Sequence, residues 1–332
     1  MKGRRVQGIR DEGHSRCTLN PERRPEVAMR IVSLLPSATE IVYLLGLGDH
    51  LVGVSHECDH PAQARDKPRI IRPAFATASL TSGQIDRRVR DFMERGEGIY
   101  RIDPDALRAA APDLVLTQEL CDVCAAPYQD VLAAVAALPK RPAVLSLTPQ
   151  SLGDVLKDIE RVGEATGRIR EAKTAAAALE KRTAAVAGRA ARAHRRPRVV
   201  CLEWLEPVMA AGHWVPEMVG LAGGTEPIGL AGAPSRRVSW EQVRSAAPEV
   251  LILMPCGFDV ERVMEEMQLL TSRPGWQELP AVATGRVFAA NGHAYYSRSG
   301  PRLVDGLEVL ARLIHPELFP EPVPPDVAMI VH

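Results

Sequence analysis

The chain has 332 residues, 41 basic against 41 acidic, with 46% hydrophobic and 25% charged residues, a length that accommodates two cores. Balanced charge gives no electrostatic case for a polyanionic partner, so neither nucleic acid nor an anionic membrane surface is expected as one. Six cysteines outside any small-scaffold spacing fit a reducing compartment or a metal site rather than a disulfide framework.

Residues 1–28 are rich in Arg and Glu and show no apolar h-region. They are set apart as a disordered tail or a mis-assigned start, and a cytoplasmic location is expected. The apolar run from Ile31 to Leu47 is broken by Pro36, Ser37, Thr39 and Glu40 and is too short to span a membrane. An N-terminal α/β lobe is expected over 29–150. It opens with a strand from Arg30 to Leu35, a capping box Ser37-Ala38-Thr39-Glu40, and a helix from Ile41 to Leu45 closed by Gly46. Strands follow at Leu51 to Ser55, Ile99 to Ile102, Leu114 to Thr117 and Ala143 to Leu147, with helices from Asp105 to Ala111 and Tyr128 to Leu138. This alternation predicts a parallel sheet.

Over 151–196 no strand signal appears. A short helix ending near Gly167 and then a longer one are expected; some twenty-five helical residues span about 40 Å, enough to bridge two lobes, and a surface helical hairpin is the alternative. A C-terminal α/β lobe is expected over 197–318. It runs through a strand Arg198 to Leu202, helices Val215 to Leu221 and Trp240 to Ala246, a strand Val250 to Met254, a helix Asp259 to Leu270, a strand Arg286 to Ala290 and a helix Pro301 to Ile314. A proline-rich tail occupies 319–332. Ala109-Ala110-Ala111-Pro112-Asp113-Leu114-Val115-Leu116 is echoed by Ser245-Ala246-Ala247-Pro248-Glu249-Val250-Leu251-Ile252, which points to two related lobes.

Several polar side chains fall just beyond predicted strands, where open α/β sheets bind ligands. Cys121 and Cys124 have metal-gripping spacing but form only half a tetrahedral site. Cys58 and Cys256 would complete four sulfurs, with His56 or His213 as substitutes, and such ligands favour zinc or an iron–sulfur cluster. A cysteine-lined organic pocket and plain core packing are the competing readings. Glu57 and Gln118 lie in the first two of these loops. Glu203 and His213 can hold polar ligand groups, and Trp204 and Trp214 offer flat apolar area, either for a planar molecule or for the inter-lobe core. Tyr295, Tyr296 and Arg298 lie where the final helix begins, a seat for an anionic group or an ordinary capped turn. No nucleophile elbow, phosphate-cradling loop or dinucleotide fingerprint is present.

The series Leu35-Pro36-Ser37-Ala38-Thr39-Glu40, Leu45-Gly46-Leu47-Gly48-Asp49, Val52-Gly53-Val54 and Pro112-Asp113-Leu114-Val115, followed by long helix, resembles the ABC-transporter substrate-binding proteins of the cobalamin and ferric-siderophore type. Cobalamin-binding members are the most similar, and the likeness runs from Met29 to about Leu318. It implies the class III periplasmic-binding-protein arrangement: two Rossmann-like lobes with parallel sheets joined by a long inter-lobe helix, and a corrinoid or metal-chelate ligand in the cleft. It also implies small hinge motion, an ABC transporter permease as partner, a monomer, and a periplasmic or extracellular alternative for location. Ser55-His56-Glu57-Cys58, the Cys121/Cys124 pair, Glu203-Trp204 and Gly212-His213-Trp214 are similar to elements of a cobalamin-binding subgroup, with His213 an axial candidate for cobalt. The sequence departs from transporter-serving members in showing no export signal and in its cysteines, since their usual cleft is aromatic and basic. The leading expectation is a ligand-binding protein that performs no chemistry. The alternative is a cytosolic enzyme or metallochaperone built on the cysteine set.

Overall fold

A computed structural model describes residues 29–119 and 126–331. The first lobe holds β1 (Ile31–Ser33), α1 (Pro36–Leu44), β2 (Leu51–Ser55), β3 (Arg69–Pro73), α2 (Ser82–Glu94), β4 (Tyr100–Ile102), α3 (Pro104–Ala110), β5 (Leu114–Thr117), α4 (Tyr128–Ala136) and β6 (Ala143–Ser146). Its six-stranded sheet runs β4-β3-β2-β1-β5-β6. The strands are parallel except for β4, which pairs antiparallel with β3 at the edge.

The connection is made by α5 (Leu152–Thr166) and α6 (Ile169–Ala190), the short-then-long pair of helices read from the sequence. Gly167 closes α5 in the left-handed region at φ +73°. The two helices pack against each other so closely that a Cβ on Gly163 would lie 2.3 Å from the Ala172 Cβ. α5 also touches α1, and its first N–H group, that of Leu152, donates to Glu217 of the second lobe at 2.9 Å.

The second lobe comprises β7 (Val199–Trp204), β8 (Met209–Ala210), α7 (Val215–Leu221), β9 (Arg236–Arg237), α8 (Trp240–Ser245), β10 (Val250–Leu253), α9 (Val260–Glu265), α10 (Gln268–Thr271), α11 (Pro280–Ala283), β11 (Val287–Ala290), α12 (Gly292–Tyr295), α13 (Leu303–Ile314) and β12 (Ala328–Ile330). α6 lies against α7 and α13. The sheet order is β12-β11-β10-β7-β8-β9. Only β7, β10 and β11 are mutually parallel; β12, β8 and β9 join antiparallel. The expected parallel sheets are therefore mixed: the short strands β4, β8, β9 and β12 join antiparallel, and β8 returns directly from β7 without a helical crossover. The tail read as proline-rich chain supplies β12, which covers the edge of β11.

The sequence echo is a structural repeat. Arg30 precedes β1 and Arg198 precedes β7. The N–H of each donates to a carboxylate, Asp113 or Glu249, at 3.0 Å, and the guanidinium of each donates to the carbonyl oxygens of Ala110 and Ala111 or of Ala246 and Ala247. Ala111 and Ala247 both sit at positive φ, +40° and +44°. One clamp, used twice, fixes a helix end to the start of a central strand in each lobe.

The buried apolar residues form one cluster in each lobe and a larger one shared by both through α1, α5, α6, α7 and α13. The capping box expected at Ser37–Glu40 does not form. Pro36, lacking an N–H, starts the helix instead, and Glu40 is turned toward the second lobe.

Candidate ligand-binding cleft

The segments that follow β1 and β2 meet the segment that follows β11 across the seam, as side-chain bonds between the lobes show. The loop after β11 carries Arg298, which is only 7% exposed. Its guanidinium donates to Asp59 at 2.6 Å, to Glu40 at 3.3 Å and to the carbonyl of Glu57 at 3.1 Å, and it also contacts His293. Arg302 grips Glu40 with a second fork at 2.6 and 3.1 Å, His293 reaches Asp59 at 3.0 Å, and the Ser299 hydroxyl meets that of Ser37 at 3.4 Å. Burial alone would raise the Asp59 carboxyl, yet hydrogen bonds from His293 and Arg298 hold it well below the usual carboxylate range. Arg298, expected as a seat for an anionic ligand group, is a strut between the lobes whose two terminal nitrogens are both engaged by protein groups.

The second-lobe wall is built from the end of β7 and its neighbours. The Ser235 hydroxyl donates to Glu203 at 2.7 Å and receives the Gly212 N–H at 3.2 Å, while the Cys256 N–H donates to the Glu203 carbonyl at 3.1 Å. Burial pushes the Glu203 carboxyl up, against the hydrogen bond from Ser235. The partly exposed ring of Trp204 lies 5.3 Å from Phe258, and its indole N–H is taken by the carbonyl of Glu206 at 3.0 Å. Glu203, Trp204 and Cys256 thus come together, as the strand-end rule predicts.

His213 is held at φ +50°, a left-handed conformation rare for a bulky residue, with its ring 5.4 Å from Trp214. Its Nε2 is buried without a hydrogen-bond partner among the described residues, and burial lowers the imidazole pKa. On the first-lobe wall, Gln118 is buried just past β5. His56 lies 5.3 Å from the Tyr100 ring and 3.7 Å from Glu57, and burial lowers its imidazole despite that carboxylate. Tyr295 is partly buried, with Arg302 over its ring at 5.8 Å.

Three expectations are corrected. Trp214 is 5% exposed and donates its indole N–H to the carbonyl of Tyr296 at 2.8 Å; Tyr296 is 3% exposed, with its hydroxyl on the Gly306 carbonyl at 3.2 Å. Both are core residues and present no face to a ligand. Cys58 is fully buried, its sulfur accepting the Thr39 hydroxyl at 3.1 Å, and burial pushes its thiol up, the setting of a small apolar side chain and not of a thiolate. Cys121 and Cys124 lie outside the described residues. Among the described residues no group of three or more His, Cys, Asp or Glu side chains could hold a metal ion.

Sequence reasoning missed Glu40, Asp59, Arg302, His293 and Ser235. It also missed α2, although Thr81-Ser82-Gly83-Gln84 carries a capping box that does form, with Thr81 and Gln84 bonding reciprocally at 3.3 and 2.8 Å.

Two α/β lobes opposed at their strand ends and tied by a helical connection are the arrangement of a two-lobed ligand-binding protein. The chain belongs to the periplasmic binding protein family, whose model matches residues 31–293. It is 26% identical over 300 residues to an uncharacterised ABC transporter substrate-binding lipoprotein of Bacillus subtilis, covering 88% of this chain and 82% of that one. It is 27% identical over 289 residues to a vitamin B12-binding protein of Vibrio cholerae, covering 86% and 88%. Solved structures of similar fold include the periplasmic vitamin B12-binding protein of Vibrio cholerae, with a TM-score of 0.62, 23% identity and coverage of 89% of this chain and 99% of that one. Another is a periplasmic heme-binding protein of Roseiflexus, with a TM-score of 0.66, 24% identity and coverage of 88% and 99%. No helix among the described residues is long and apolar enough to cross a membrane.

Proposed function

We propose that this chain is the substrate-binding component of an ABC-type importer, holding a corrinoid, or a related planar metal chelate such as heme, between its lobes and handing it to a permease on the extracytoplasmic side. The observation that carries the reading is the second-lobe wall, where the partly exposed Trp204 ring, backed by the buried Phe258 at an interplanar angle of 58°, adjoins the polar Glu203–Ser235 pair and Cys256. Apolar area with a few fixed polar groups is what a large planar ligand bearing peripheral amides or carboxylates requires. The kinship to the substrate-binding lipoprotein and the vitamin B12-binding proteins supports both the ligand class and the location. His56, Glu57, Gln118, His213 and Tyr295 are assigned to the remaining contacts, with the unpartnered Nε2 of His213 available to a polar group or a metal centre.

Titration with hydroxocobalamin, hemin and a ferric hydroxamate, read by quenching of tryptophan fluorescence, tests the proposal. Saturable binding of hydroxocobalamin or hemin at about micromolar Kd or tighter, weakened roughly tenfold or more by Trp204→Ala, is the expected result. Failure of both to bind, or binding of the ferric hydroxamate alone, refutes it.

A further inference from the structure

The lobes meet at a second joint, unlike the first. Between β3 and β4 the chain leaves the sheet for an excursion whose two ends are tied together, Pro73 pairing with Tyr100 and the Ala74 N–H donating to the Ile99 carbonyl at 2.8 Å. The head of this excursion is α2, and it docks on the second lobe at the cleft side of that lobe's strands. Ile85 is buried in the second lobe's cluster, with Leu80 and Val89 beside it, in company with Trp204, Leu205 and Phe258. The N–H of Ser82 donates to both oxygens of Glu266 at 2.9 and 3.0 Å, and its hydroxyl donates to the same carboxylate. Arg262 reaches the Leu80 carbonyl, and Arg237 reaches Asp86 at 2.7 Å.

The two joints differ in where their charges find partners. At the first, the ion pairs that Glu40 and Asp59 make among the described residues, with Arg298, Arg302 and His293, all cross the seam, so parting the lobes there strands buried charge. At the second, each carboxylate keeps an arginine on its own side of the joint: Glu266 holds Arg262 at 3.0 Å and Asp86 holds Arg90 at 3.0 Å. Undocking α2 therefore leaves no orphaned charge. The outward face of α2 carries Arg87, Arg88, Asp91 and Glu94, all exposed, so release uncovers only a short apolar stripe.

We propose that α2 is a releasable lid over the mouth of the cleft, and that the Arg298 network is the fixed hinge about which the mouth opens. The docked helix shares one apolar cluster with Trp204 and Phe258, so ligand entry to and exit from Trp204 proceed through its undocking. The ligand part of this inference rests on the function proposed above.

The test is a reversible lock. A Cβ built on Gly83 lies 3.7 Å from the Glu206 Cβ, within the span of a disulfide, about 3.5–4.5 Å. In the Gly83→Cys/Glu206→Cys protein, cross-linked as verified by peptide mapping, association of whichever of hydroxocobalamin or hemin binds the parent should slow roughly tenfold or more, and reductant should restore it. Equal rates in the locked and reduced forms overturn the lid. Hydrogen exchange reads the lid without any ligand. In Glu266→Ala the amides of residues 85–92 should exchange roughly tenfold faster than in the parent while those of β10 are unchanged. If α2 exchanges only with β10 in both proteins, the lid is refuted. If neither probe binds the parent while α2 opens as stated, the ligand assignment fails and the lid stands.

Discussion

Replacing Arg298 with Met should loosen the hinge between the lobes. The guanidinium bonds two carboxylates and one carbonyl of the first lobe at 2.6 to 3.3 Å, from a site that is 7% exposed. Removing one member of a buried ionic group costs about 3–5 kcal/mol. Here Glu40 keeps Arg302 and Asp59 keeps His293, so the lower end applies, about 3 kcal/mol. At about 2–4 °C per kcal/mol this lowers Tm by roughly 6–12 °C. Urea and thermal unfolding followed by tryptophan fluorescence would measure it. Arg298→Lys should rescue little, because an ammonium is a point charge that cannot span Asp59, Glu40 and the Glu57 carbonyl together. The loss should also depend on pH. Asp59 is depressed in the folded state, so its contribution is fully present above the unfolded aspartate value of about 3.9 and disappears as pH falls below it. The difference between parent and Arg298→Met should thus narrow in acid. A loss under about 1 kcal/mol, or a Lys variant as stable as the parent, would refute the assignment of Arg298 as the strut.

Glu203 is raised by burial, so its ionisation opposes folding increasingly as pH climbs above the unfolded glutamate value of about 4.3. Glu203→Gln should melt no lower than the parent at pH 7.5 and should lose any advantage near pH 4.5; a lower Tm at pH 7.5 contradicts this. Ala111→Gly and Ala247→Gly remove a Cβ from the left-handed region, and each should stabilise by about 0.5–1 kcal/mol, the same in both lobes if the clamps are equivalent. Iodoacetamide labelling of the native protein at pH 8, mapped by peptide, should modify Cys256 roughly tenfold or more faster than Cys58 or Cys201, whose thiols burial pushes up. Equal rates would show that those two are not sealed.

Much of the scaffold could be read from sequence. β2, β5, β7, β10 and β11 are short apolar runs beside Pro, Gly or Asp, and the Pro112-Asp113 and Pro248-Glu249 echo pointed to two related lobes. The missed elements had reasons. β3 includes Arg69, Arg72 and Pro73 and alternates poorly, and β8 and β9 have two residues each. β12 follows prolines that read as tail. α2 has only a narrow apolar stripe because its partner is the other lobe, and three of the polar residues around it are spent on contacts that no local pattern reveals.

For the site, the strand-end rule placed Glu203, Trp204 and Cys256 at one end of the second-lobe sheet, where they lie together, but could not say which way each side chain turns. Cys58 comes two residues after His56 yet points inward to Thr39. Arg298 looked like a ligand seat because an arginine at the start of a helix does so when its surroundings are unknown.

What the sequence by itself determined is local: which runs are strands, where helices begin and end, and that the plan is laid down twice. These follow from backbone sterics and the spacing of apolar side chains within a few residues. The tertiary structure alone decided which charges meet. Glu40 and Arg298 are 258 positions apart, and Ser82 and Glu266 are 184 apart. Whether such groups bind a ligand or each other depends on how two separately folded lobes approach, because a buried charge takes whichever opposite charge the packing brings within reach.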